Sequence, residues 1–174
     1  ESYVSVLLEE LPDQAHLFGF FSDKANSRLV KEQELSVKAG KIVSDLYHAF
    51  EGQYKNLESD KREQRSLNVL IVRLVFLLYA EDAGLLQERQ AFGDYLQKFR
   101  APQMRQALID LFQVLDTPDG RNGTDDRRDP YAGEVLNAFP YINGGLFADE
   151  GIVIPQFTEQ MRHDLILNAS IAFD

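Results

Sequence analysis

Metal-dependent DNA cleavage of the PD-(D/E)xK kind needs carboxylates that hold a cation and a lysine two residues after an acid. Pro12-Asp13 and Pro118-Asp119 supply the opening dipeptide, but no lysine of this chain has Asp or Glu two positions before it. The motif is absent, and both Pro-Asp pairs read as turns. Methyl transfer from S-adenosylmethionine needs a Gly-rich strand-to-helix turn. No G-x-G occurs, and Gly144-Gly145 is not followed by a helical pattern. Methylation of an adenine amine also needs an Asn/Asp-Pro-Pro-aromatic loop, which accepts from the amine and stacks on the flipped base. Asp129-Pro130-Tyr131 lacks the second proline and sits in a polar stretch. His16, His48 and His163 are far apart and none has a second histidine or cysteine at zinc spacing, and Asp119–Asp129 has too few correctly spaced ligands for an EF-hand. Neither a phosphate-binding G-x-x-x-x-G-K-[ST] loop nor a G-x-S-x-G elbow is present. The chain is therefore read as holding no catalytic, cofactor-binding or metal-binding residue.

What remains is polar residues in apolar surroundings and arginines among acids. Glu81 and Asp82 are adjacent in a helical pattern, so they point to different faces and make a poor catalytic pair. Arg73 precedes them by two turns. An unpaired buried charge is expensive, so Arg73 and one of these acids are expected to be held by buried partners, with a metal role as the outsider. Arg62, Arg65, Arg127 and Arg128 are the candidates for contact with a DNA backbone. Glu63, Asp125, Asp126 and Asp129 stand beside them, and a solvated mixed-charge surface is the blander reading. The formal net charge of −10 argues against a free-standing nucleic-acid binder, because phosphate affinity comes from Lys and Arg releasing counterions. Phe139, Tyr141 and Phe147 have faces on which bases stack, but aromatics beside a glycine turn are more often core.

The elements that position these residues are mainly helical. With 174 residues and 44% hydrophobic residues the chain can bury a core of its own. It has no cysteine, which fits a reducing cytoplasm, and its longest apolar run, Val69–Ala80, is interrupted by Arg73 and too short to span a bilayer. It opens on Glu1 and stops at Asp174 just after an apolar stretch, which reads as a domain excised from a longer protein. Residues 1–23, with Leu17-Phe18-Gly19-Phe20-Phe21 at their heart, read as an N-terminal arm; residues 24–174 read as the domain proper. Ser36–Phe50 is an amphipathic helix carrying Ala39, Ile42, Val43, Leu46 and Phe50. Lys55–Arg65 is a loop or the exposed first turns of the next helix. From Ser66 to Ala83 apolar residues cover nearly the whole circumference, the mark of a central buried helix, and Gly84 suits its left-handed cap. Phe92, Tyr95, Leu96 and Phe99 mark a third helix. Pro102 opens a fourth, with Met104, Leu108, Leu111, Phe112 and Leu115 on one face and Thr117-Pro118 as its end. Asp119–Pro130 reads as a mobile loop. An irregular or β-hairpin element is expected near 139–154, with Asn143, Gly144 and Gly145 making its turn and Ile152–Ile154 a short strand. Thr158 caps a last helix with Met161 and Leu165 inward. The expected fold is a mainly α bundle around the central buried helix.

The order of signatures resembles the helical spacer of MmeI-like (type IIL) restriction-modification enzymes. LPDQAHLFGFFS (Leu11–Ser22) is followed by VKAGKIVSDLYHAFE (Val37–Glu51) and LNVLIVRLVFLLYAEDAGLL (Leu67–Leu86). LIDLFQVLDTPDGR (Leu108–Arg121), FPYINGGLFADE (Phe139–Glu150) and IPQFTEQMRHDLILNASIAFD (Ile154–Asp174) complete the series. Each motif is weak alone; their order over nearly the whole chain is fairly specific. The resemblance implies a non-catalytic segment between an N-terminal nuclease and an adenine N6-DNA methyltransferase of the same polypeptide. It implies S-adenosylmethionine, and Mg for any nuclease, for the parent and not for this segment, with DNA reached through the parent in the cytoplasm and no membrane. The rival from another class is an acidic helical adaptor whose exposed Phe139–Phe147 segment grips a protein partner.

Overall fold

The computed structural model describes residues 34, 37–121, 125–142, 144–148 and 151–171. The chain packs as two units, Glu1–Lys38 and Ala39–Asp174. Of the first, residues 34, 37 and 38 are described, all helical; the arm expected over 1–23 lies outside the described residues.

The second unit is built from helices. Its first, α1 (39–51), buries Ile42, Leu46 and Phe50 at helical spacing, with Tyr47 and Ala49 partly buried beside them, and exposes its opposite face, as befits a helix at the edge of a bundle. Asp60 then caps α2 (Lys61–Asp82), its side chain accepting from Arg62 N at 2.7 Å, so the charged stretch before Ser66 is partly the exposed first turn of this helix. Leu67, Leu70, Leu74, Leu77, Leu78 and Ala80 of α2 are essentially inaccessible. Burial does not extend round the whole circumference, however: Val72 and Tyr79 remain 54% and 49% exposed. Gly84 takes φ +70° directly after the helix, the left-handed stop expected of it.

Helix α3 (Ala91–Gln97) packs on α2 and on the last helix, α6 (Glu159–Ile171), and buries Phe92, Tyr95 and Leu96. Helix α4 (Ala101–Asp116) has Pro102 in its first turn and buries Met104, Leu108, Leu111, Phe112 and Leu115, the face read from its spacing. A short α5 (Glu134–Ala138), with no buried residue, has no forerunner in the sequence reading; its spacing is too brief to carry a period. Thr158 Oγ1 accepts from Met161 N at 3.1 Å to cap α6, and Met161 and Leu165 are buried.

No strand is found among the described residues, only an isolated bridge between Asp119 and Asp126. The 139–154 element is thus irregular rather than a hairpin. Residues 153 and 154 pair with side chains instead of a second strand. Ser66 Oγ accepts from Val153 N (2.9 Å), Tyr54 OH donates to Val153 O (2.8 Å) and Arg105 Nε donates to Ile154 O (2.8 Å). With its backbone groups satisfied this way, the segment needs no neighbouring strand.

Candidate functional site

Arginine side chains reaching backbone carbonyls far away in sequence are the recurring polar device of this domain. Arg73 Nε donates to Leu146 O (2.9 Å), Arg105 Nε to Ile154 O (2.8 Å), Arg128 Nε to Thr117 O (2.9 Å) and Arg162 Nε to Phe99 O (2.6 Å). Each bond ties an irregular segment or a helix end to a helix or a turn. A guanidinium offers several donors in a fixed fork, which suits it to carbonyls that no ladder satisfies.

Arg73 is the most enclosed of these, at 2% exposure. Its guanidinium carbon stands 5.0 Å from the Phe112 ring centre and 5.7 Å from that of Phe147, so two aromatic faces replace part of its lost hydration. It lines a cavity of about 440 Å³ with Asp116, Thr117 and Ile154 among the walls. Glu81 is held elsewhere. Its Oε1 accepts from Phe92 N (2.7 Å) and Gly93 N (3.1 Å), supplying the acceptor for the first turn of α3 that Gln90, in the left-handed region at φ 60°, does not provide. Its Oε2 is buried without a hydrogen-bond partner. Burial pushes the Glu81 carboxyl above its ordinary range, aided by Asp82 and Asp94, while the two N–H donors pull the other way. Arg73 and Glu81 thus each have partners of their own, and Asp82 is exposed. The glycine pair carries the turn: Gly144 and Gly145 take φ +139° and +76°, which favour glycine. Asn143 lies outside the described residues.

Asp119, read from sequence as part of a turn, is the hub of a second polar cluster. Its carboxylate accepts from Arg121 N and Tyr141 N (both 3.1 Å) and pairs with Arg121 Nε (3.1 Å), with Arg128 Nη2 at 4.0 Å. Burial alone would push the Asp119 carboxyl up, but the two backbone donors and the two guanidinium charges outweigh it and hold it below the usual range. Arg128, whose side chain is 7% exposed, adds a bond from Nη2 to Phe139 O (3.1 Å); burial pulls its guanidinium down from its ordinary value. The described parts of the loop expected to be mobile are therefore fastened to the end of α4 and to Phe139. Nothing in the sequence signals Asp119 as a hub, since its partners come from residues up to 22 positions away.

Of the four candidates for DNA contact, Arg62 and Arg65 lie exposed on the first turns of α2. Arg127 is 70% exposed, with Nη2 3.8 Å from Asp125. Arg128 is turned inward and its guanidinium serves the fold. Phe139 and Phe147 are 2% and 3% exposed, stacked edgewise on Tyr95 and on Phe76. They are core, so the gripping surface imagined for Phe139–Phe147 lacks its two phenylalanine anchors. Among the described residues no group of three His, Cys, Asp or Glu could hold a metal, and no helix is long and apolar enough to cross a membrane.

Residues 65–147 match the family described as the MmeI helicase spacer domain. A solved structure of the Type IIL restriction-modification enzyme MmeI in complex with DNA is similar over 76% of this chain, with 30% identity and a TM-score of 0.62. The chain spans 16% of the length of that enzyme chain. No curated protein matches significantly.

Proposed function

With the chain recognised as a helical spacer of the MmeI-like (type IIL) restriction-modification enzymes, we propose that it joins a nuclease to an adenine N6-DNA methyltransferase and fixes their separation. The observation that carries this reading is the set of arginine-to-carbonyl bonds. They fasten the irregular 117–121, 125–133, 139–142, 144–148 and 151–154 stretches to the helices and their ends, so the piece resists bending where a Gly/Ser linker would not. Fixed geometry is what cleavage at a set distance from a methylated base demands. S-adenosylmethionine, and Mg for the nuclease, are held by the flanking domains. Here the spacer is a positioning element, with sparse backbone contacts to DNA through Arg62, Arg65 and Arg127. The polypeptide works in the cytoplasm, in defence against phage.

The open reading frame on either side tests this directly. The reading expects an acid-x-lysine nuclease motif upstream, and a G-x-G turn with an Asn-Pro-Pro-Tyr-type loop downstream. A frame with neither refutes it. In a parent that cuts, Arg73→Ala should broaden the distribution of cut positions relative to the recognition site. A cut ladder as sharp as wild type would show that spacer rigidity does not set the distance.

A further inference from the structure

Cations gather at the corner where α3 gives way to α4. Between Asp94 and Asp110 the chain carries Lys98, Arg100 and Arg105 and no acid, although Asp and Glu outnumber Lys and Arg by 28 to 18 overall. The fold brings a further cation to the same corner. Arg162 of α6 donates from Nε to Phe99 O (2.6 Å), with Nη2 3.5 Å from Gln97 O, so its guanidinium is pinned against the two carbonyls that flank Lys98. Neither bond uses Nη1, which is left for another acceptor. Lys98 and Arg100 are exposed, Arg162 is half-buried, and His163 is exposed beside it. Among the described residues no carboxylate forms an ion pair with Lys98, Arg100 or Arg162. Asp94 and Glu159, one helical turn before Lys98 and Arg162, thus leave them unneutralised. Arg105 is tied to Ile154 O and takes no part. The first turn of α4 holds no acid either, so nothing there offsets the partial positive charge of its N-terminus.

We infer that Lys98, Arg100 and Arg162 form a contact site for the phosphodiester backbone of DNA held by the intact polypeptide. The inference rests on the spacer reading above, which sets the domain in a protein that works on DNA. A pinned guanidinium has already lost its rotamer freedom in folding, so little more is lost when an anion arrives. Lys98 adds a point charge on a flexible stem and Arg100 a planar fork, both suited to phosphate oxygens. The arginines singled out in the sequence compare poorly. Arg62 has Glu63 beside it, and Arg127 Nη2 lies 3.8 Å from Asp125, so acids already meet part of their charge. A backbone contact of this kind fixes position and carries no sequence information. The corner would hold the spacer against the duplex while the choice of target stays with other domains. An acidic polypeptide could meet the same cations, but it releases no condensed counterions, and that difference can be measured.

The test is the salt dependence of binding by the intact parent polypeptide to a DNA duplex of mixed sequence. Lys98→Ala with Arg100→Ala removes two exposed cations and leaves the bonds of Arg162 in place. Each phosphate contact adds about 0.9 to the slope of log K against log salt, so the double variant should bind with a slope shallower by about 1.8. Between about 50 and 200 mM salt, wild type should then lose about twelvefold more affinity than the variant. Lys41→Ala with Lys55→Ala removes two exposed cations elsewhere and should keep the wild-type slope. Lys98→Arg with Arg100→Lys keeps both charges and should keep it too, which separates lost charge from lost folding. An unchanged slope in the corner variant would overturn the inference. An equal fall in the Lys41 and Lys55 variant would also do so, by assigning the effect to net charge, as would weaker binding at an unchanged slope. A wild-type parent with no affinity for DNA would sink the spacer reading itself, whereas wild-type binding with an unmoved slope in the variant sinks the corner alone.

Discussion

Removing the Arg73 side chain should cost this domain a large part of its stability, while removing that of Arg127 should cost almost nothing. Arg73→Ala strips the donor from Leu146 O, which leaves a part-buried carbonyl without that bond at a cost of about 1 kcal/mol or more. It also deletes a guanidinium lying against Phe112 and Phe147 and opens a void in a side chain's place that was 2% exposed. Truncations of buried long side chains cost about 2–5 kcal/mol. Against this stands the relief of no longer burying a charge, which offsets part of the loss. A net destabilisation of about 3–5 kcal/mol is expected, against a total stability of about 5–15 kcal/mol for a typical domain. For a chain of this size each kcal/mol moves Tm by about 2–4 °C, so thermal denaturation followed by circular dichroism should show a fall of about 6–20 °C. Arg127→Ala removes an exposed pair whose closest approach is 3.8 Å to an 88% exposed Asp125, worth about 0.5 kcal/mol or less. Arg73→Met apportions the loss. It fills much of the void but gives Leu146 O no donor, so a Tm between wild type and Arg73→Ala is expected. Tm values for Arg73→Ala and Arg127→Ala within about 1 °C of each other would refute the assignment of Arg73 as a buried staple.

Asp119→Asn should lower stability at neutral pH and flatten the acid limb of a urea-midpoint-versus-pH profile. The folded-state value is depressed, so the stabilisation from Asp119 is fully present above the unfolded carboxylate range, near 3.9, and is lost as pH falls through the folded value; an unchanged acid limb would contradict it. Glu81 has the opposite sign. Its folded-state value is raised, so the folded state binds the extra proton and stability falls as pH rises from the unfolded value, near 4.3, through the folded one. Glu81→Gln keeps an acceptor for Phe92 N and Gly93 N and should be at least as stable as wild type at pH 7, whereas Glu81→Ala should lower the urea midpoint; the reverse ranking would remove Glu81 from its capping role. Phe147→Ala should cost about 3–5 kcal/mol in the same denaturation assay, as a core residue does, and a cost below about 1 kcal/mol would return it to the surface.

Helices were legible in this chain because their signals are local. Apolar spacing places the buried faces of α1, α4 and α6; Pro102, Gly84 and Thr158 mark a start, a stop and a cap; and Arg73 and Glu81 stand out as charges inside an apolar run. What escaped depends on partners distant in sequence. Ser66 looks like any serine near a helix start, yet its hydroxyl accepts from Val153 N, 87 positions on, while donating back to Arg62 O. Asp119 sits in a Pro-Asp-Gly sequence that spells a turn, and only the return of Tyr141 and the neighbouring arginines makes it a hub. Arg127 and Arg128 are adjacent and chemically identical, and the fold separates them: one is 70% exposed, while the other, at 7%, donates to two backbone carbonyls.

That last pair explains how a basic residue count misleads in a chain of this kind. Arg73, Arg105, Arg128 and Arg162 spend donors on carbonyls of the chain itself, and Arg121 is drawn to Asp119. These guanidinium groups are committed within the domain, while most carboxylates of the described residues are exposed. Donors spent inside the domain are not offered to phosphates, and the bonds of Arg73 and Arg105 tie helices to irregular segments. Under the linking function proposed above, few free guanidinium donors would leave placement on DNA to the neighbouring domains, while fixed geometry would transmit that placement along the chain.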